Sequence, residues 1–163
     1  MSIHDQVEHL FNTARNDVYY YTLSFGLTAA EAQEITQDVF LRFYVALKKS
    51  DAIESPRGWL FRAAHNLALN EVARRTTRQL FASNPQSESG SSEDAEQRLI
   101  RKQTAARMRE ALSALSPQER LCLHLRAEGL RYAEIAKNAG VGLSTVSGFL
   151  SRAIKKLRKA VHE

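Results

Sequence analysis

The run from Leu130 to Val161, LRYAEIAKNAGVGLSTVSGFLSRAIKKLRKAV, constrains the fold more than any other part of the chain. A glycine turn separates two stretches with helical spacing. Ala133, Ile135 and Ala136 give the first stretch a small, apolar side suited to close packing. Gly140 takes a positive φ at no steric cost and so ends it. Val141 plugs the corner, and Gly142 or Ser144 caps the second stretch. There Val146, Leu150, Ala153, Ile154, Leu157 and Val161 share one face. Ser144, Gly148, Ser151, Arg152, Lys155 and Lys159 fall on the other, with Ser147 beside them. Two helices across such a turn, the second with an open polar face, fit a helix-turn-helix whose second helix enters a DNA major groove. From this stretch alone, an αα-hairpin that binds nothing stays open.

Charge and cysteine content narrow the partner. The chain has 23 Lys+Arg against 18 Asp+Glu in 163 residues, a net charge of +5. That balance favours an anionic partner without naming it. No apolar run is long enough to span a bilayer, and MSIHDQVEHL lacks the basic start and apolar core of a signal peptide. The expectation is a cytoplasmic protein with no membrane insertion. Cys122 is the only cysteine, which excludes an internal disulfide and a Cys-based zinc cluster. No phosphate loop, metal cluster or nucleophile–base pair stands out, so no enzyme, no metal and no cofactor are expected.

Along the chain, Val7, Leu10, Phe11, Ala14, Val18, Tyr21 and Phe25 repeat at three and four, giving a first helix from about Ile3 to Phe25 that Gly26 ends. Tyr19, Tyr20 and Tyr21 would point in three directions, which fits core and rim better than a stacking platform for bases. Thr28 with Glu31 forms a capping box. The helix it opens runs to about Lys49, with Ile35, Val39, Phe40, Phe43, Tyr44 and Leu47 as its apolar stripe. Gln33, Gln37, Asp38 and Arg42 lie opposite, and spacing alone reads them as a solvated face. Ser55-Pro56 starts a third helix, to about Leu80, by cap plus proline. Trp59, Leu60, Ala63 and Leu67 face inward, while Arg62, Asn66, Asn70, Arg74, Arg75 and Arg78 supply amides and guanidiniums suited to base edges and phosphates. His65 reads as a packed or rim residue, since no ligand partner lies at metal spacing.

Ala82 to Asp94, ASNPQSESGSSED, has no apolar period and reads as a flexible linker. Helix returns from about Ala95, with Leu99, Met108, Ala111, Leu112 and Leu115 preparing a core. Ser116-Pro117 with Glu119 starts the next helix; Leu121, Cys122, Leu125 and Ala127 are its buried candidates, and Gly129 closes it. Cys122 in that stripe reads as a structural thiol. The expected fold is all-α: two small helical domains joined by a flexible linker, the C-terminal one a helix-turn-helix.

Three segments in this order carry a resemblance: AQEITQDVFLRFY, SPRGWLFRAAHNLALNEVARR and LSPQERLCLHLRAEGLRYAEIAKNAGVGLSTV. Together they resemble a bacterial RNA polymerase sigma factor of the extracytoplasmic function (ECF) subfamily of the sigma-70 family, over nearly the whole chain outside the linker. The resemblance implies residues 1–81 as region 2, 82–98 as linker and 99–163 as region 4. It implies that Glu34, Gln37, Asp38, Phe40 and Leu41 belong to the surface or frame that docks on core RNA polymerase. Lys49, Ser50 and Asp51 would lie in the loop that captures a flipped base of the non-template strand. Arg62, Asn66, Asn70, Arg74 and Arg75 would line the melted −10 strand. Leu143, Ser144, Thr145, Ser147, Gly148, Ser151, Arg152 and Lys155 would meet the −35 element. Core polymerase, promoter DNA and an anti-sigma factor are the implied partners.

The chain departs from the family pattern in the last helix. Where Lys-Ser-Arg-Leu-His-Arg-Ala is usual after Thr-Val, it has Ser147, Gly148, Phe149, Leu150, Ser151, Arg152 and Ala153. A bidentate Arg–guanine contact carries about 1–3 kcal/mol of discrimination, so weak or altered upstream readout is expected. Phe149 either touches a thymine methyl or packs inward. The rival reading is a free-standing helix-turn-helix regulator that binds a palindromic operator without polymerase.

Overall fold

The structure, a computed structural model, describes residues 2–49, 53–79 and 95–162. Helices follow in the order α1 (Ile3–Leu23), α2 (Ala29–Lys48), α3 (Pro56–Gln79), α4 (Ala95–Ser113), α5 (Pro117–Ala127), α6 (Tyr132–Ala139) and α7 (Leu143–His162), with no strand among the described residues. The expected all-α fold with two helical modules is what forms. The stretch from 82 to 94, read as a linker, lies outside the described residues.

Local chemistry sets most of the boundaries. Ser2 accepts from the Asp5 N–H at 3.1 Å and starts α1. At α2 the Thr28 hydroxyl accepts from the Glu31 N–H at 3.2 Å, and the Glu31 carboxylate accepts from the Thr28 N–H at 2.9 Å. Ser116 and Glu119 make the same reciprocal pair ahead of α5, at 3.2 and 2.9 Å. Gly140 caps α6 at φ 70°, in the left-handed region that L side chains avoid. Helix α7 begins at Leu143, so Gly142 holds the position ahead of it and Ser144 lies inside the first turn.

Helices α1, α2 and α3 close around Ala14, Val18, Tyr21, Val39, Phe43 and Leu60, all fully buried. Leu121, Leu125, Ile135, Val146, Leu150 and Ala153 are buried between α5, α6 and α7. The N-terminal set and most of the C-terminal set join in a single apolar cluster, because α3 also packs on α5 and α6. This is why α3 buries more than the expected stripe: Phe61, Ala64, His65 and Ala68 are inside as well, while Trp59, Ala63 and Leu67 are half-buried against the cluster.

Four expected core positions stand in solvent. Leu99 is 57% exposed, Ile154 is 43% exposed, and Ala127 and Ala133 are exposed. Helix α4 packs on α7, yet Leu99 and Ile154 remain in solvent. Glu119 and Arg120 take the burial that Ala127 was expected to share on α5. The side chains of Arg78, Met108 and Val161 lie outside the described residues.

Candidate nucleic-acid interface

A spacing of four places Arg62, Asn66, Asn70 and Arg74 along one ridge of α3. Asn66, Asn70 and Arg74 are exposed, and Arg74 meets Glu71 at 3.4 Å. Arg62 is half-buried and donates to the backbone carbonyl of Asn138 at the end of α6. Arg75 leaves the ridge: it donates to the Gly26 carbonyl and lies 3.8 Å from Glu31, against the turn between α1 and α2. Lys49 is exposed at the C-cap of α2. Ser50 and Asp51 lie outside the described residues.

The outer side of α7 is a second polar surface. Leu143, Ser144, Thr145, Ser147, Ser151, Arg152 and Lys155 are exposed, and Gly148 is half-buried. Phe149 turns inward against the apolar cluster, which decides between its two expected placements. The Arg152 guanidinium covers its outer face, 5.2 Å from the ring centroid. Lys156, which sequence spacing did not single out, donates to Glu119 at 2.7 Å. Burial disfavours ionisation of Glu119, but Lys156 and the Ser116 N–H and hydroxyl outweigh it and hold the carboxyl below its usual range.

The side of α2 facing away from the core carries exposed Glu34, Gln37 and Leu41, with Leu41 66% exposed. Val45, one turn on, is 47% exposed, so a short apolar ridge runs beside the amide and the acid. Asp38 accepts from Arg42 at 3.1 Å. Phe40 sits inside, its ring edge-on to Phe11 at 5.2 Å, and supports this surface from below. Val45 was the position missed; an apolar residue four after Leu41 and off the core stripe was the available signal.

The boundary between the modules is apolar at the centre and ionic at the rim. The Tyr21 hydroxyl and His65 Nδ1 share a hydrogen bond of 2.8 Å. His124 of α5 lies 4.6 Å from the Tyr21 ring centroid and 5.9 Å from that of Phe61. Arg120, also buried, donates to the Ser24 carbonyl at 3.2 Å and lies 4.3 Å over the Phe25 ring. At the rim, Arg57 bridges Glu128 and Asp17, and Lys137 meets Glu54 at 2.8 Å. Burial, then the Arg62 and Arg120 charges, push the His65 imidazole down to about 4. Burial does the same to His124, also to about 4, against an opposing pull from Glu128.

A cleft of about 200 Å3 opens on this boundary, lined by Arg62, His65 and Asn66 from α3 and by Val141 and Phe149 of the C-terminal module. No helix among the described residues is long and apolar enough to cross a membrane.

An all-helical chain with amide- and guanidinium-bearing α3 and a helix-turn-helix whose second helix shows an open polar face is of the DNA-binding class. Residues 10–78 match the model of Sigma-70 region 2, and residues 105–157 match that of Sigma-70, region 4. The chain belongs to the sigma-70 family, as a factor of the ECF type that directs promoter-specific transcription initiation with RNA polymerase. It is 31% identical over 143 residues to the ECF RNA polymerase sigma factor SigE of Mycolicibacterium smegmatis, a match over 85% of this chain and 55% of that one. It is 28% identical over 162 residues to the RNA polymerase sigma factor YlaC of Bacillus subtilis, covering 98% of this chain and 94% of that one. Among solved structures, CnrH in complex with the cytosolic domain of CnrY has the same fold, with a TM-score of 0.70 at 21% identity over 98% of this chain and 89% of that one. The sigma factor RpoE in complex with the anti-sigma factor NepR, from Bartonella quintana, gives 0.68 at 16% identity over 95% and 96%.

Proposed function

We propose that the two modules divide promoter recognition between them, with residues 1–81 acting on the −10 strand and residues 99–163 on the −35 duplex, joined through 82–98. Asn66, Asn70 and Arg74 read and hold the melted strand, with Arg62 and Arg75 completing a basic groove once both are released from their protein carbonyls. Extruding a base from the stack costs a few kcal/mol, and a loop pocket at Lys49, Ser50 and Asp51 beside a cationic track offsets it. The α2 surface of Glu34, Gln37, Asp38 and Leu41, with Phe40 beneath, docks on core polymerase. Bond making stays with the polymerase, and this chain supplies the address and the strand opening, in the cytoplasm.

The observation that carries this reading is the exposed Asn66–Asn70–Arg74 ridge on α3, inside the segment that matches region 2. On α7, Leu143, Ser144, Thr145, Ser147, Gly148, Ser151, Arg152 and Lys155 meet the upstream duplex, with few cations among them, so affinity for that element is modest. An anti-sigma factor is the proposed inhibitor, since RpoE, which shares this fold, was captured in complex with the anti-sigma factor NepR.

The test is transcription from a promoter library with purified core polymerase. Asn66→Ala with Asn70→Ala should abolish open-complex formation while polymerase binding persists. Normal opening by the double variant would reject the strand-reading role.

A further inference from the structure

We infer that Gly148 and Phe149 are positioning residues for Arg152, and that the three form one base-reading unit on α7 that selects a guanine in the upstream duplex. This rests on the −35 role proposed for α7. A recognition helix brings its N-terminal residues nearest the bases. In the first half of α7, Leu143 to Arg152, Arg152 is the only charged residue. A guanidinium reads guanine through two parallel N–H bonds in the major groove, and the planar fork is what discriminates. An arginine this far along the helix makes that contact best when its head group is carried back toward the N-terminus and held there.

Both conditions are met. Long side chains on a helix lean back over the residues three and four before them, which for Arg152 are Phe149 and Gly148. The guanidinium carbon lies 5.2 Å from the Phe149 ring centroid, within cation–π range. Phe149 is itself half-buried against the apolar cluster, so its ring is a fixed shelf. A Cβ at 148 would lie 3.4 Å from Arg152 Nη1 and 3.9 Å from the guanidinium carbon. A side chain longer than a methyl would compete for that space. Gly148 has no positive φ, so its backbone does not call for glycine, and inside a helix glycine is unfavourable against alanine. The notch it leaves is where the guanidinium lies. No carboxylate pairs with Arg152 among the described residues. Its exposed neighbours Ser147 and Ser151 are too short to screen it. The unit thus presents a cation at the level of 148 and 149, a turn ahead of the residue that carries it. With few other cations on this face, one pre-set fork gives preference at one base pair and adds little to overall affinity.

Competition binding of promoter duplexes to the full chain assembled with core polymerase, at fixed salt, tests this. The duplexes differ by one base pair at a time across the upstream element. The unaltered chain should prefer guanine at one position by about tenfold. Arg152→Lys keeps the charge and loses the fork, so it should shrink that preference to about twofold while retaining most of the salt dependence. Gly148→Ala sets a methyl at ordinary contact distance from the guanidinium and should preserve the preference. Gly148→Leu fills the notch and should erase it. Both replacements favour helix over glycine, so a purely structural role for Gly148 makes the two behave alike, and that result overturns the inference. Phe149→Leu keeps an apolar side chain against the cluster and removes the shelf. It should cut the preference several-fold, and an unchanged preference overturns the part assigned to the ring. A uniform loss of affinity for every duplex from Arg152→Lys, with the preference kept, would make Arg152 a phosphate contact and overturn base reading. If Arg152→Ala and Lys155→Ala both leave binding of every duplex unchanged, the −35 role of α7 fails, and the unit with it.

Discussion

The Tyr21 and His124 rings meet across the boundary between the modules, centroids 4.6 Å apart and planes at 65°. That contact keeps an imidazole out of water, and it makes the stability of the chain depend on pH. His124 and His65 both ionise near 4 in the folded chain, against 6.5 for an ordinary imidazole. Tyr21, Arg62, Arg120, Glu128 and Asp17 are the ionisable groups that face them. The unfolded chain therefore takes up protons that the folded chain refuses. The stability that two neutral imidazoles contribute is fully present above about pH 6.5 and is lost as pH falls from there through 4. The urea midpoint should decline between about pH 7 and pH 4.5, and His124→Phe should flatten part of that decline. A midpoint independent of pH over this window would contradict the placement of the buried His65 and half-buried His124 rings.

The Tyr21 hydroxyl has His65 Nδ1 as its partner at 2.8 Å, and both side chains are buried. Tyr21→Phe keeps the ring and strands the imidazole nitrogen. The expected loss is about 1–3 kcal/mol of unfolding free energy, read by denaturant titration followed by circular dichroism. An unchanged midpoint would mean that the bond adds nothing to folding.

Asp38 and Arg42 form an exposed pair, with side chains 43% and 59% accessible. Such pairs contribute about 0–1 kcal/mol to stability. Asp38→Arg should thus leave the fold intact while lowering affinity for core polymerase about tenfold by reversing a charge on the docking face. Fluorescence anisotropy with labelled protein measures it, and undiminished affinity would move the docking face off α2.

On α7, Ser147 is exposed and Phe149 is turned inward. Ser147→Lys should strengthen binding to the upstream duplex and steepen its salt dependence by about one ion. Phe149→Arg should instead destabilise the chain by about 1–2 kcal/mol through lost burial. A gain in duplex affinity from Phe149→Arg with no loss of stability would place that ring on the DNA side.

The parts of this fold that were legible are those decided within one turn of helix. Thr28 with Glu31, Ser116 with Glu119, and Gly140 act on their own backbone neighbours, so spacing alone locates them. The parts that were not legible depend on which module covers which. Phe61 and His65 are buried because α5 and α6 lie over α3, and no local period on α3 reports that. Arg120 is charged and yet buried, held by the Ser24 carbonyl and the Phe25 ring some ninety-six positions away in sequence. Leu99 and Ile154 fit their apolar periods but have no described partner above them, so periodicity promised burial that packing does not deliver. At the candidate site, the ridge of Asn66, Asn70 and Arg74 could be seen from a spacing of four, whereas the diversion of Arg62 and Arg75 onto backbone carbonyls could not.

Glu119 shows how rigid the DNA-facing module is. One carboxylate oxygen accepts from the Ser116 N–H at 2.9 Å and from Lys156 at 2.7 Å, and so joins the root of α5 to the middle of α7. The recognition helix is braced well along its length, beyond the three-residue corner of Gly140, Val141 and Gly142 that joins it to α6. Its tilt cannot drift while that brace holds, so a sideways or rotational search along a groove must be made by the module as a whole.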